Sequence, residues 1–567
     1  MVIKKNTVRL ASAALLASAA LGGFHQTAVN HAAAATDVVT ITDWQFPSGC
    51  NLGSANEAVV VEACQGETQD GMFGLDDKLN YFPDLAANLP TTKNGEVKTV
   101  GGNLVVTYKL KPNLKWSDGV AITVDDFIFS VPVNIAAGNS TGIDQITNMK
   151  KIDPQTVQVT YKGLYAPYIA YGTPGYFLPQ HYLTKKYGTT DIKAIGQKFT
   201  QDSYSSPNDV FSGPYKIQSF TADQSVVLVQ NSYYTALPAA AGHPRPSQIK
   251  FVLVTKSEAT LATDLQSNKA GVDAAEDFQA GDLPTLGGAK SYHVHNVPAL
   301  FIEFLRVNNS GVLKDVRLRQ ALQYAIDKPT LYHELFPQVS NPSDFVLRTM
   351  LPIPNTFTDK SLPISEYNVA KAKALLQAAG YSTDYNGSGK HLYLRFAATG
   401  SEVRKKDFSV LARDWALVGI HVSPNFQPPS GQGGIYDSWA NGGVLQHGFF
   451  DVLLMGLTES PDPQQSEPNY DPKQIPSATF ENGQNDSRIT DTDQFSLLQS
   501  AGHQIDANQR LSTFHKWEAL INQRVYDIPL YNRAFISADN GTIGNYKPSP
   551  SQTTNEWNVF QWYKGNS

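Results

Sequence analysis

Two carboxylates three positions apart, Glu459 and Asp462, stand in the stretch FDVLLMGLTESPDP (residues 450–463), where an apolar run enters a loop. A pair of acids is what glycoside hydrolysis uses, but two positions on one loop do not by themselves set the separation that chemistry needs. His293 and His295 alternate on a short apolar run and so share one face. Two imidazoles can begin a metal site; no third ligand follows at ligand spacing, and surface imidazoles are the expectation. Gly387-Ser388-Gly389-Lys390 looks like the end of a phosphate loop, yet it lacks the upstream glycine and runs into His391. H-E-x-x-H does not occur. The reactive residues thus point to a module that binds its ligand, with no cofactor and no metal, and a secreted hydrolase stands as the alternative from another class.

The elements that would position these residues begin after a leader. Lys4, Lys5 and Arg9 precede the apolar run 10–21, and the small-residue tract 32–35 follows, which gives the three regions of a secretory signal. That run is too short to span a bilayer, and no later stretch is long and uncharged enough to do so. Cleavage near Ala35 removes those three cations and takes the formal charge from −6 to about −9, which disfavours nucleic acid as a partner. The chain has 567 residues, too many for one ordinary core, so two or three domains are expected. Its charged fraction, 17%, is low, and a surface of Ser, Thr, Asn and Gln suits secretion. Cys50 and Cys64 are the two cysteines; a bridge is the first reading in an oxidising compartment, with free thiols as the alternative.

Residues 301–307, FIEFLRV, read as a buried strand, and Asp315 caps a helix whose Leu318, Ala321, Leu322, Ala325 and Ile326 make one apolar stripe, closed by Pro329. Arg317 and Arg319 on that helix read as a solvated face. Residues 104–130 give a strand, two turns and a helix capped by Thr123. Residues 249–274 and 392–422 each read as strand, helix, strand, so parallel sheets are expected in two places.

Several strings in this order resemble the extracellular solute-binding proteins of the peptide/nickel importer family: K-W-S-D-G with T-V-D-D (115–126), F-S-G-P-Y (211–215), D-V-R-L-R-Q-A-L-Q-Y-A-I-D-K (315–328), Y-N-V-A-K-A-K-A-L-L-Q-A-A-G-Y (367–381) and D-I-P-L-Y (527–531). The resemblance runs over about residues 38–563. It implies an α/β, two-lobed, periplasmic-binding-protein-like fold of the class II, three-subdomain type, with a cleft between the lobes. A signal peptide (1–35) would precede a first lobe built from 36–66, 208–296 and 530–567, an accessory subdomain (67–207) and a second lobe (297–529). The strand at 301–307 would cross between lobes. The implied function is capture of oligopeptides, or else an oligosaccharide or other solute, for an ABC importer permease, by a monomer in the periplasm or released outside the cell, since no cysteine ends the signal.

The same resemblance implies site residues. Glu459 would accept a peptide's α-ammonium group, a task that needs a carboxylate because a buried ammonium must be paired. Tyr436 and Trp439 would supply apolar walls, Trp44 and Phe46 ligand platforms, and Arg404 is the candidate for a ligand carboxylate, with Ala398 and Thr399 falling where some relatives carry an arginine. Gly456 stands where peptide binders often place a tryptophan, which leaves room for a ring.

Overall fold

The computed structural model describes residues 37–51, 59, 63, 64, 66–339, 341–551 and 555–565. The signal segment expected at 1–35 lies outside them. Ten strands form one mixed sheet in the order Ile420–Gln427, Leu392–Thr399, Val452–Thr458, His293–Val307, Asp527–Asp539, Ala274–Phe278, Val38–Thr42, Gln248–Val252, Ser225–Gln230, Tyr215–Thr221. Both strand-helix-strand units of the sequence reading are present in it. Leu392–Thr399 pairs in parallel with Ile420–Gln427. In the other unit the first strand of the chain, Val38–Thr42, inserts between the two and pairs in parallel with each.

The two longest strands hold the halves of the sheet together. His293–Val307 runs antiparallel to Asp527–Asp539 from His293 opposite Asp539 to Arg306 opposite Asp527, with a break in register between Pro298 and Ile302. At that break Leu300 leaves the ladder with Asp527–Asp539: its N–H donates to the Pro550 carbonyl at 2.8 Å, and its carbonyl accepts from the Glu459 N–H at 2.8 Å, in register with the pairing to Val452–Thr458. Backbone groups at a bulge must find partners elsewhere, and here the partners are Pro550 and Glu459.

Alternation along the strand assigns its side chains to two cores. Leu305 and Val307 join one cluster with Leu318, Leu322 and Trp415; Ile302 and Phe304 join the other with Phe514, Trp517 and Ile521. A separate four-stranded antiparallel sheet, in the order Val97–Val100, Asn103–Lys109, Thr156–Tyr161, Ile146–Asp153, packs on the helix Val124–Ala136. Thr123 and Asp126 cap that helix reciprocally. Two of the sequence strings meet here, because Ser117 N–H donates to the Phe211 carbonyl and Phe211 N–H donates to Ser117 Oγ.

Two readings of the crossing helix need correction. Pro329 does not simply close it: Val316–Tyr324 ends, and Pro329 opens a further helix, Lys328–Leu335, capped by Asp327, as suits a residue with no N–H to lose in a first turn. Arg319 is 5% exposed and not solvated. Its guanidinium donates to the carbonyls of Leu313, Lys314, Arg524 and Val525, so it closes the C-terminus of the helix Ala507–Arg524. Arg317 is exposed as expected. Among the described residues no helix is long and apolar enough to cross a membrane.

Candidate functional site

The segment Phe301-Ile302-Glu303 lies in the strand His293–Val307 of the ten-stranded sheet, and Glu303 stands between the fully buried Ile302 and Phe304. A charge in such a place needs partners. Glu303 is 2% exposed and is held by Arg533 Nε at 2.9 Å, with a second and shorter contact from Arg533 Nη2. Arg404 Nη2 reaches the same carboxylate at only 3.4 and 3.5 Å. The Arg533 guanidinium also lies 4.2 Å over the Phe301 ring.

Arg404 stands in the first turn of the helix Glu402–Ala416, which Ser401 caps by accepting from Arg404 N–H. It is 8% exposed; it donates to Thr399 Oγ1 at 2.6 Å and to the Tyr436 hydroxyl at 3.3 Å. One turn on, Asp407 is fully buried and accepts from the Tyr531 hydroxyl at 3.2 Å. Burial, reinforced by the Glu303 charge, pushes the Asp407 carboxyl up to about 8, so it is mostly neutral at pH 7.

These side chains border a cavity of about 810 Å³ lined by Phe301, Thr399, Gly400, Ser401, Arg404, Lys405, Phe426, Gln427, Pro428, Pro429, Tyr436 and Gly456. It brings together two of the residues singled out in the sequence, Arg404 and Tyr436, with Gly456 beside them. The room expected at Gly456 is already filled: a Cβ there would lie 2.3 Å from Phe301 Cε1. Phe301 supplies from the neighbouring strand the ring that the glycine position lacks.

Glu459 lies at the end of Val452–Thr458, on the loop tied to the Leu300 carbonyl. It is 7% exposed and its Oε2 accepts from Ser466 Oγ at 2.6 Å. Burial pushes its carboxyl up to about 7, against the opposing pull of Ser466 and the Arg306 charge. Asp462 is committed differently, to a bidentate pair with Arg510 at 2.7 Å on both oxygens. The acid pair is therefore divided between two partners, and Asp462 is neutralised in place. Tyr171 donates to the Asp462 carbonyl at 3.2 Å.

The aromatic residues fall elsewhere. Trp44 Nε1 donates to the Asp277 carbonyl and to Asp277 Oδ2. Phe46 packs with its ring centroid 5.6 Å from Phe220 and 6.0 Å from Phe251. Trp439 stacks on His447 at 3.9 Å, and His447 on Phe449 at 4.8 Å. Cys50 and Cys64 are joined, with Cα atoms 5.5 Å apart. His293 and His295 both address Asp539, His295 Nε2 at 2.6 Å and His293 Nδ1 at 4.0 Å. Among the described residues no three metal-ligating side chains gather.

The family model of the bacterial extracellular solute-binding proteins, family 5 (middle region), matches residues 80–473. The chain belongs to that family. Among its relatives is the oligopeptide-binding protein OppA of Lactococcus lactis subsp. lactis, 23% identical over 512 residues that cover 82% of this chain and 79% of the relative. The oligopeptide-binding protein of Thermus thermophilus in complex with a pentapeptide aligns over 93% of this chain and 96% of its own, at 19% identity and a TM-score of 0.67. NikZ of Campylobacter jejuni in complex with Ni(L-His) aligns over 93% and 100%, at 19% identity and a TM-score of 0.69. The fold is the two-lobed α/β fold expected from the sequence.

In this family 5 chain, sequence reasoning missed Phe301, Glu303, Asp407 and Arg533. A signal was present for Glu303. An acid inside the run FIEFLRV cannot stay unpaired in a buried strand, and the nearest strong cation on the other crossing segment, RVYDIPLYNR, is Arg533.

Proposed function

We propose that this chain is the extracytoplasmic substrate-binding component of an ABC importer: it captures an oligopeptide in the cleft between its lobes and delivers it to the membrane permease, acting as a monomer and leaving its ligand chemically unchanged. The observation that carries this reading is the join at Leu300, a residue of a crossing strand whose carbonyl bonds to the Glu459 loop and whose N–H bonds to Pro550. A ligand held at that loop would bear directly on the crossing strands, and differential contact with open and closed forms is what lets a ligand drive closure. The likeness to OppA and to the Thermus complex supports a peptide as the ligand class.

Within this reading Glu459 receives the ligand's ammonium group, supported by its burial and by the single hydrogen bond on its carboxylate. Residues 1–35 serve as a cleavable signal that places the protein in the periplasm or outside the cell. The lobes are assembled from 36–66, 208–296 and 530–567 on one side, with 67–207 as its accessory part, and from 297–529 on the other. The test is to incubate the purified protein with a synthetic oligopeptide mixture, remove the unbound fraction, and analyse what is released on denaturation. Recovery of intact peptides in stoichiometric amount is the expected result; shortened peptides that accumulate with time would make the protein an enzyme.

A further inference from the structure

We propose that a second cavity, lined by Asp144, Gln464 and Glu467, is a cation subsite, and that ligands of this chain present to it an ammonium or guanidinium group carried on a stem. This rests on the solute-binding reading and adds a chemical class of ligand at a place apart from Glu459 and Arg404. The cavity holds about 560 Å³. Asp144, Glu467 and Asp471 line it, against one ammonium, the exposed Lys162, and one imidazole, His503. With the imidazole neutral, negative charge is in excess. None of the three carboxylates makes a salt bridge among the described residues. Their hydrogen bonds come from neutral donors: Gln145 Nε2 to Asp144 at 3.1 Å, Gln464 Nε2 to Glu467 at 2.5 Å, and the Lys473 N–H to Asp471 at 2.8 Å.

A second observation is independent of charge. Gln464 is 9% exposed, and its Nε2 is spent on Glu467 and on the Leu498 carbonyl. Two acceptors on Nε2 fix the amide's orientation and leave Oε1 as a buried acceptor with no hydrogen-bond partner among the described residues. The amide lies at the cavity wall beside Gly502, where a Cβ would meet Nε2 at 2.9 Å and Oε1 at 3.3 Å. A buried acceptor left unfilled is costly, and a cationic donor would complete it. Burial also pushes the Glu467 carboxyl up, against the pull of Gln464 and His503 and with Asp471 adding to the rise, as befits an acid that lacks a cation. Asp144 is exposed and adds little alone, so Gln464 and Glu467 carry the site. Both stand on the 3-10 helix Pro463–Tyr470. Side chains three apart eclipse in such a helix, so these two share one edge while Ser466 turns to Glu459 at 2.6 Å. Tyr165, Pro167 and Tyr171 bring apolar surface to the same cavity. Its volume far exceeds an ammonium ion, which is why the cation arrives on a stem. A Lys or Arg side chain of a peptide and a free polyamine offer the same chemistry.

Two synthetic libraries of four- to six-residue peptides test this, matched except that Lys or Arg in one is replaced by norleucine or citrulline in the other. Peptides captured on the wild-type protein are measured by calorimetry, beside α,ω-diaminooctane and its neutral counterpart α,ω-octanediol. The expected result is that cationic members bind about tenfold or more tightly than their neutral counterparts, the gain of one charge-assisted contact. That gain should vanish in the double variant Asp144→Asn with Glu467→Gln, whose amides still accept from Gln145 and Gln464; far-UV circular dichroism confirms that it folds. Asp144→Lys, at an exposed position, takes its place if it does not fold, and should weaken the cationic members alone. Glu459 is intact in both variants, so a gain that persists in them belongs to Glu459 and overturns the proposal. A diamine that binds as tightly as the cationic peptides names a free polyamine as the source, and a weaker one names the peptide side chain. Equal affinities within the matched pairs overturn the proposal and leave the peptide reading standing. If no peptide binds, the peptide reading fails separately, and the cavity is judged by thermal shift: stabilisation by the diamine and not by the diol, lost in the variant, sustains it, and any other result overturns it.

Discussion

If Glu459 pairs with a ligand ammonium, affinity must follow the ionisation of Glu459 in the empty protein. Burial holds its carboxyl at about 7. A group with that value is about 1% ionised at pH 5 and about 90% ionised at pH 8. Only the ionised form can receive the cation, so the dissociation constant should improve by roughly 50-fold between pH 5 and the neutral range, about 2.3 kcal/mol. The ligand's own α-ammonium loses its proton around pH ~8 and affinity should decline again, which places the optimum between about pH 7 and 8. The empty protein behaves in the opposite sense. A carboxyl whose folded value lies above its unfolded value contributes stability that is fully present below about pH 4.5 and is lost as pH rises through about 7, on the order of 3 kcal/mol in all. Calorimetric titration of one tight-binding peptide at half-unit intervals from pH 5 to 9 reads the first effect, and thermal melts of the empty protein read the second. Asp407, Asp70 and Lys328 also have values displaced towards this range, so the control is Glu459→Gln, which should bind weakly with a flat profile below pH 7. A flat profile in the wild type, or an unchanged slope in Glu459→Gln, would refute the reasoning.

Three further outcomes follow from the same geometry. Asp462→Asn should leave Arg510, which is buried and pairs with both oxygens of that carboxylate, without its counterion; chemical denaturation should show a loss of about 3–5 kcal/mol, and a loss below about 1 kcal/mol would mean that the pair is solvated. Gly456→Ala drives a methyl group into Phe301, so a loss of about 1–3 kcal/mol is expected, with partial recovery in the double variant carrying Phe301→Leu. Cys50→Ser opens a loop closed over a separation of 14 residues and should cost about 3 kcal/mol, seen also as a lower melting temperature of the wild type in reductant.

Much of the architecture was legible because it rests on local rules. The caps at Thr123 and Asp315 each accept the backbone hydrogen bond that their sequence context calls for, and the apolar stripe behind Asp315 is buried as its 3.6-residue period requires. What failed depends on long-range partners. Arg319 shares its helix with the exposed Arg317, and only the end of a helix some 200 residues later in the chain decides that one is buried. Pro329 reads equally as the end of one helix or the start of the next. Around the cavity, Arg404 and Tyr436 were singled out as candidates from the resemblance, whereas Glu303 and Arg533 come together only because two distant strands pair. The aromatics Trp44, Phe46 and Trp439 carry no local mark of their neighbours, and Asp277, Phe220 and His447 engage them.

The central claim is that the protein holds a solute in its cleft, and native mass spectrometry of material purified without denaturation tests it most directly. The account predicts a population heavier than the bare chain that releases intact short peptides when the protein is unfolded. A bare chain that takes up no member of any synthetic peptide library would contradict it.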